Sequence, residues 1–303
     1  MNAGATISVL PPPGIYPAVS FEEYLAWPAI SPSSLQVARR SMAHYRGRRP
    51  TEETRSMQLG SLTHAGKFEP LTIPLRFVVM PDYQSVVKTT DGNVPKSPKA
   101  TAEYKRLVNQ FAQANSDKRI VTQSDYDSML GMVQALARHA RASYFLTGGD
   151  HEVSIVAPDP VTGLPCKARL DHLRLSGPGC LVSELKTMSD ACRCETVIAL
   201  HGVHRQLAFY GDMLAWLGVV DRIDECGLVI IESTGPHFGI KAAPLGESAI
   251  TAGRSEYRRL LNQIAKCQKS DIWPSYESPT EWNLPAWAVD SEPSECTGRT
   301  NNE

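Results

Sequence analysis

The chain has 303 residues, 42% hydrophobic and 21% charged, with a formal net charge of −1 and a sequence pI near 6.7. This length can bury one large core or two modest domains, and the composition is that of an ordinary globule, excluding a disordered or fibrous chain. No apolar run reaches membrane-span length, and the start lacks a basic stretch ahead of an apolar one. Seven cysteines without a framework spacing fit a reducing compartment, so the expected setting is cytoplasmic, with no membrane partner.

In chain order, residues 1–19 contain Pro11-Pro12-Pro13-Gly14 and read as a tail and extended lead-in. A mostly helical stretch follows. Ala29-Ile30-Ser31-Pro32-Ser33-Ser34-Leu35 sets a serine at an N-cap with proline after it, a strong helix start. Ser31 and Ser33 are cap residues first, and candidates for phosphate contact because helix N-termini bind anions. From Tyr24 to Thr51 there is no acid, whereas Arg39, Arg40, Arg46, Arg48 and Arg49 cluster with His44 and Tyr45. The cluster is either a solvated basic face or a lane for a nucleic-acid backbone, which a chain lacking an overall basic surface would need locally. Leu59-Gly60-Ser61-Leu62-Thr63-His64 places a histidine where an amphipathic helix begins.

Residues 71–150 open with a strand-like run, Phe77-Val78-Val79-Met80, and pass a polar loop at Lys88–Lys99. Helices are expected at Ala102–Ala114 and Ser124–Ser143. The first of these carries Glu103-Tyr104-Lys105, with Asp91 upstream. Tyr104, Leu107, Val108 and Phe111 mark an apolar stripe that leaves those charges on the wet face, so this Glu-x-Lys is a salt-bridging surface.

Residues 150–270 read as a sheet, with strands near 152–157, 165–175, 180–186, 227–232 and 237–243 and helices at 195–217 and 247–268. His151-Glu152-Val153-Ser154-Ile155-Val156 leads through the turn Asp159-Pro160-Val161-Thr162-Gly163 into the strand bearing Asp171. Ser176-Gly177-Pro178-Gly179 then turns a hairpin, which brings Asp171 beside Glu184. Alternation along the strand puts Glu184 and Lys186 on one face and Leu185 on the other. Two carboxylates and an ammonium at one spot are the minimum for metal-dependent phosphodiester cleavage. Hard cations take carboxylate, water and phosphate oxygens, and a lysine can orient the attacking water and offset developing charge. Asp171 and Glu184 would hold the metal and Lys186 would serve the nucleophile; the alternative is a charged hairpin edge that resists aggregation. Glu152 is an active-site candidate or a salt partner of Arg169. Gln206 and Tyr210, four apart on the 195–217 helix, share a face. Cys192-x-Cys194 and His201-x2-His204 are tighter than usual metal spacings, so neither zinc nor an iron–sulfur cluster is expected.

Together these segments resemble the RecE-type exonucleases (exonuclease VIII and related phage and prophage recombination nucleases) of the PD-(D/E)xK superfamily, relatives of lambda exonuclease. The likeness runs from Gly14-Ile15-Tyr16 to about Trp287. It rests on the Ile-Ser-Pro-Ser-Ser-Leu start, Leu-Gly-x3-His at His64, the strand with Glu152, Arg-Leu-Asp at Asp171, Glu-Leu-Lys at Glu184–Lys186, and His-Arg-Gln-x3-Tyr at Gln206 and Tyr210. It implies a Mg²⁺-dependent 5′→3′ exonuclease on linear duplex DNA, with Mn²⁺ as a substitute metal. His64, Asp171, Glu184 and the Leu185 carbonyl would ligate metal, Lys186 would be catalytic, and Gln206 and Tyr210 would position the lysine or the terminal nucleotide. It also implies a homo-oligomeric ring and a single-strand annealing partner of RecT type. Leu170 stands where the superfamily name has proline, and His64 where lambda-type enzymes have glutamate.

The fold expected is an α/β PD-(D/E)xK core, a central mixed sheet flanked by helices, with a helical N-terminal cap. The divisions expected are a lead-in at 1–19, a helical cap and DNA-binding arm at 20–150, a nuclease core at 150–287 and a disordered tail at 288–303. The alternatives are a related nuclease of other polarity or substrate (single-strand or structure-specific) and a catalytically silent DNA-end-binding protein.

Overall fold

The computed structural model describes residues 9–49 and 53–284; the expected tail at 288–303 and the first part of the lead-in lie outside them. In chain order the elements are β1 (Gly14–Tyr16), α1 (Phe21–Ala26), α2 (Pro32–Arg40), α3 (Met42–Arg46), α4 (Arg55–Phe68), α5 (Ile73–Arg76), β2 (Phe77–Val79), α6 (Tyr83–Val86), α7 (Ala102–Ala114) and β3 (Arg119–Val121). They continue with α8 (Gln123–Arg138), α9 (Ala140–Leu146), β4 (Asp150–Pro158), β5 (Pro165–Ser176), β6 (Gly179–Met188), α10 (Cys194–His201), α11 (Val203–Trp216), β7 (Arg222–Glu232), β8 (Ile240–Pro244) and α12 (Glu247–Ser270).

Six strands form one mixed sheet in the order β1-β4-β5-β6-β7-β8. All neighbours are antiparallel except β6 and β7, which run parallel. A parallel pair needs a crossover, and α10 with α11 supplies it. Side-chain alternation splits the core between the two faces. On β6 and β7, Val182, Leu228 and Ile230 meet α2, α11 and α12 through Leu35, Leu207, Leu260 and Ile264. Leu181, Leu185, Val229 and Ile231 meet Phe68, Leu136 and Phe145 of α4, α8 and α9 on the opposite face. The helices of the 20–150 stretch therefore cover both faces of the sheet, and a boundary at 150 does not separate two cores. Among the described residues no helix is long and apolar enough to cross a membrane.

Three local features depart from the sequence pattern. The helix expected over 195–217 breaks at Gly202, whose φ of 68° ends α10 in the left-handed conformation that glycine adopts without a Cβ clash. The helix expected over 124–143 splits at His139, whose Nδ1 accepts the Ala142 N–H at 3.1 Å and caps α9. The three-residue strands β1 and β3 carry too few residues to show a period.

The β5–β6 ladder opens at one end. It runs from Ser176/Gly179 to His172/Ser183 and there the strands part. Ile30 occupies the freed edge of β5, its N–H donating to Pro165 O at 2.8 Å and its carbonyl accepting from Lys167 N at 2.7 Å. The N-terminus of α2 is thus set into the fork. The buried Lys167 ammonium donates to the carbonyls of Tyr24, Leu25 and Trp27 at 2.8–2.9 Å, satisfying the end of α1 and fixing that helix above the same opening.

Gly227 on β7, the register partner of Ser183, is closely packed. A Cβ there would meet Phe145 Cδ1 at 2.3 Å and Ser183 Oγ at 2.7 Å. Gly227→Ala is expected to lower unfolding free energy by about 1–3 kcal/mol through overpacking, read as a lower urea midpoint at unchanged m.

Candidate active site

Continuing the hairpin register one step past His172/Ser183 sets Asp171 opposite Glu184, at the mouth of the fork. Asp171 is nearly buried, and its Oδ2 accepts the Leu185 N–H at 2.7 Å. Glu184 is 2% exposed. Its Oε1 accepts from Lys186 Nζ at 2.5 Å and from Gln206 Nε2 at 2.7 Å, and Gln206 Nε2 also lies 2.6 Å from the Tyr210 hydroxyl. Strand alternation brings Glu184 and Lys186 to the α11 face, and the i, i+4 spacing on α11 delivers Gln206 and Tyr210 to meet them.

From α4, His64 reaches the same point. Its Nδ1 stands 3.5 Å from Asp171 Oδ1 and 3.6 Å from Glu152 Oε1, and its Nε2 is 2.9 Å from the Leu185 carbonyl oxygen. Glu152 lies between the paired residues His151/His172 and Val153/Leu170, hence across from Asp171. Its φ is +52°, a conformation that a non-glycine residue holds in mid-strand only when its surroundings impose it. Its Oε2 accepts from Arg169 Nε at 2.7 Å, leaving Oε1 toward His64. Glu152 thus pairs with Arg169 and at the same time faces His64.

The ligand atoms of His64, Glu152 and Asp171 lie within 4.8 Å of one another. Of the expected ligand set, His64, Asp171 and the Leu185 carbonyl gather, Glu152 joins them, and Glu184 faces Lys186 and Gln206. Glu184 keeps one oxygen free to accept, because its buried Oε2 has no hydrogen-bond partner among the described residues. A carboxylate oxygen left so is costly and a cation would satisfy it. An oxygen-rich donor set with one imidazole suits a hard divalent ion such as Mg²⁺ or Mn²⁺. The residues present fit a divalent metal.

The charges settle one another. Burial and then the Glu184 charge push the Asp171 carboxyl up to about 7. Burial alone would lower the His64 pKa, but Asp171, Glu152 and Glu184 outweigh it and raise the imidazole to about 9. Burial likewise opposes the shift at Glu152, where His64 and Arg169 win and hold it below the usual range. At Lys186 burial is outweighed by Glu184 and Asp171, so the ammonium is held more firmly than usual. Burial, then Glu184, keeps Tyr210 a phenol.

The site opens into a cleft of about 900 Å³ lined by all seven expected catalytic residues (His64, Glu152, Asp171, Glu184, Lys186, Gln206 and Tyr210) and by Ser33. Ser31 is buried and caps α2, its Oγ accepting from Ser34 N at 3.3 Å and lying 2.9 Å from Ser33 Oγ. Of the expected arginine lane, Arg39, Arg40, Arg46 and Arg48 lie outside the cleft lining. Arg39 donates to Leu200 O at 2.9 Å and pairs with Glu256 at 3.1 Å. Arg46 pairs with Asp271 and lies over Trp273, Arg48 lies 4.2 Å over the Tyr45 ring, and Arg40 is exposed on α2. The acid-free run supplies cations that tie α2 and α3 to α10 and the segment after α12. The cleft's own arginines include Arg76, Arg119, Arg169 and Arg205. Arg169, two residues before Asp171, could be found from strand alternation; Arg76 and Arg119 carry no signal in sequence.

A raised His64 pKa makes metal binding depend on pH. Neutral imidazole is the ligating form, so in the metal-free protein a proton must leave His64 well above its ordinary 6.5. Apparent Mn²⁺ affinity should therefore rise up to about tenfold per pH unit from pH 7 toward 9. In His64→Glu that rise should shift to acid pH. Calorimetric titration of both proteins with Mn²⁺ across pH checks this; superimposable curves would show that His64 does not ligate.

A mixed sheet whose central hairpin forks over an Asp, a Glu-x-Lys and a helix-borne Gln-x3-Tyr defines a PD-(D/E)xK-type protein. The chain belongs to the family described as a PDDEXK-like domain of unknown function (DUF3799), whose model matches residues 33–281. A solved structure from Eubacterium rectale, named "Putative exonuclease", shares the fold: TM-score 0.55 at 10% identity, over 90% of this chain and 98% of that one. A second solved chain, SSO0001, aligns at TM-score 0.24 and 16% identity over 75% of this chain and 86% of its own, too low to carry an argument. No curated protein matches.

Proposed function

We propose that this protein is a divalent-metal-dependent exodeoxyribonuclease of RecE type. It would degrade linear duplex DNA from the 5′ end with Mg²⁺, or Mn²⁺ in its place, and leave 3′ single strands for recombination. The observation that carries the reading is the convergence of His64, Glu152 and Asp171 within 4.8 Å of one another, beside Glu184 and Lys186 at the fork. When bound, a divalent ion polarises the scissile phosphate and lowers the pKa of a water. The chain's residues do the rest. Asp171 fixes the Leu185 peptide through its N–H, Gln206 and Tyr210 orient Glu184, and the Lys186 ammonium offsets charge on the phosphate and orients the nucleophile.

DNA ends, a homo-oligomeric ring and a single-strand annealing protein are the proposed partners, in a cytoplasmic setting that suits the six free cysteines among the described residues. Incubation of linear and closed-circular duplex with Mg²⁺, following acid-soluble nucleotides, tests the reading, and end-labelled strands report polarity. Loss of linear DNA alone is expected. Binding without loss in either metal would instead favour a silent end-binding protein, and equal attack on circles would exclude an exonuclease.

A further inference from the structure

We propose that the segment between α5 and β3 grips the duplex backbone, with Arg76 and Arg119 as its phosphate clamp at the cleft mouth. The proposal rests on the nuclease reading and names the residues that would hold its substrate. Arg76 ends α5 and Arg119 begins β3, far apart in sequence. The parallel β2–β3 pair joins them, because Phe77 is the register partner of Arg119. Their guanidinium carbons stand 5.6 and 5.9 Å from the centre of the Phe77 ring. Phe77 is itself buried, so two planar cations are braced by one fixed aromatic side chain. Both arginines line the cleft that holds Asp171 and Glu184.

Each arginine has a carboxylate beside it and keeps part of its side chain open to solvent. Arg76 Nη1 donates to Glu69 Oε2 at 2.8 Å, and both side chains stay about a third exposed. Arg119 Nη1 is 3.2 Å from Glu53 Oε1, yet it makes no hydrogen bond there and is a buried donor without an acceptor. That nitrogen is closed to solvent, so it is the exposed third of each arginine side chain that a phosphate oxygen would meet. Residues 70–121 hold eight Lys and Arg against four Asp and Glu, a local net charge of +4 in a chain of −1. Guanidinium forks match phosphate oxygens in pairs, and a braced fork loses little side-chain freedom on binding. Arg39, Arg40, Arg46 and Arg48 of α2, α3 and the turn after them do not line this cleft, whereas Arg76 and Arg119 do.

The test is equilibrium binding of a blunt duplex oligonucleotide in Ca²⁺ over a range of KCl, by anisotropy. Each phosphate contact adds about 0.9 to the slope of log affinity against log salt. Arg76→Gln/Arg119→Gln should flatten that slope by about 2, while Arg76→Lys/Arg119→Lys should keep it, since charge rather than packing sets it. Arg46→Gln/Arg48→Gln should leave it unchanged. Should the glutamine pair not fold, Arg119→Gln alone should flatten the slope by about 1. An unchanged slope in the glutamine variants, or an equal loss in Arg46→Gln/Arg48→Gln, overturns the clamp while the nuclease reading stands. A wild-type protein that binds no duplex overturns both.

Discussion

Asp171→Asn is expected to reduce metal-dependent cleavage by at least roughly 10³-fold and, at the same time, to stabilise the metal-free protein above pH 7. The first effect follows from removing a charged oxygen that faces His64 at 3.5 Å in the candidate ligand group. The second follows from linkage. Burial and Glu184 raise the Asp171 pKa from 3.8 to about 7 in the fold. The folded state therefore resists ionisation, and the penalty grows as pH climbs from about 4 to about 7, then stays constant. Asparagine removes the charge and keeps an oxygen able to accept the Leu185 N–H. Urea midpoints in chelator should thus separate progressively between wild type and variant over that pH window, the variant being the more stable. Cleavage at the wild-type rate would remove Asp171 from the site. A variant no more stable at pH 8 would show that the carboxylate is not held against its own ionisation.

That opposition between activity and stability was only partly legible in the sequence. The hairpin turn at Gly177-Pro178-Gly179 and the period of two along β5 and β6 are local signals, and they put Asp171, Glu184 and Lys186 in reach of one another. The i, i+4 spacing of Gln206 and Tyr210 is local too, and survives the break at Gly202 because both residues lie beyond it. The opening of the hairpin at Asp171 is not local. It depends on Ile30 bonding the edge of β5, a contact made across most of the helical stretch. The orientation of Glu152 depends on a positive φ, which no propensity assigns to glutamate. The arginines are hard to read for a related reason: a charge cluster in sequence shows neither that Asp271, Glu256 and helix-end carbonyls will meet those charges, nor that a parallel strand pair will assemble Arg76 beside Arg119.

Lys186→Ala should cut turnover by about 10²-fold, the scale for losing one stabiliser of transition-state charge, with KM little changed. The lysine is a cation throughout the useful pH range, because Glu184 and Asp171 outweigh its burial. It therefore acts as a charge and donor rather than as a base, and no rise in rate with pH should trace to its deprotonation. Folding is affected as well, since Lys186 is the cation bonded to the nearly buried Glu184. Removing it leaves that carboxylate with the Gln206 amide on one oxygen and nothing on the other. The cost should be about 1–3 kcal/mol, as for a buried group losing its partner; the partial exposure of the lysine keeps it below that of breaking a fully buried pair. Glu184→Gln in the Lys186→Ala background should recover most of that stability and none of the turnover. Chemical denaturation in chelator and single-turnover kinetics on end-labelled duplex separate the two effects. A double variant no more stable than Lys186→Ala would show that the Glu184 charge is not what Lys186 offsets. A Lys186→Ala protein cleaving at the wild-type rate would take the lysine out of the reaction.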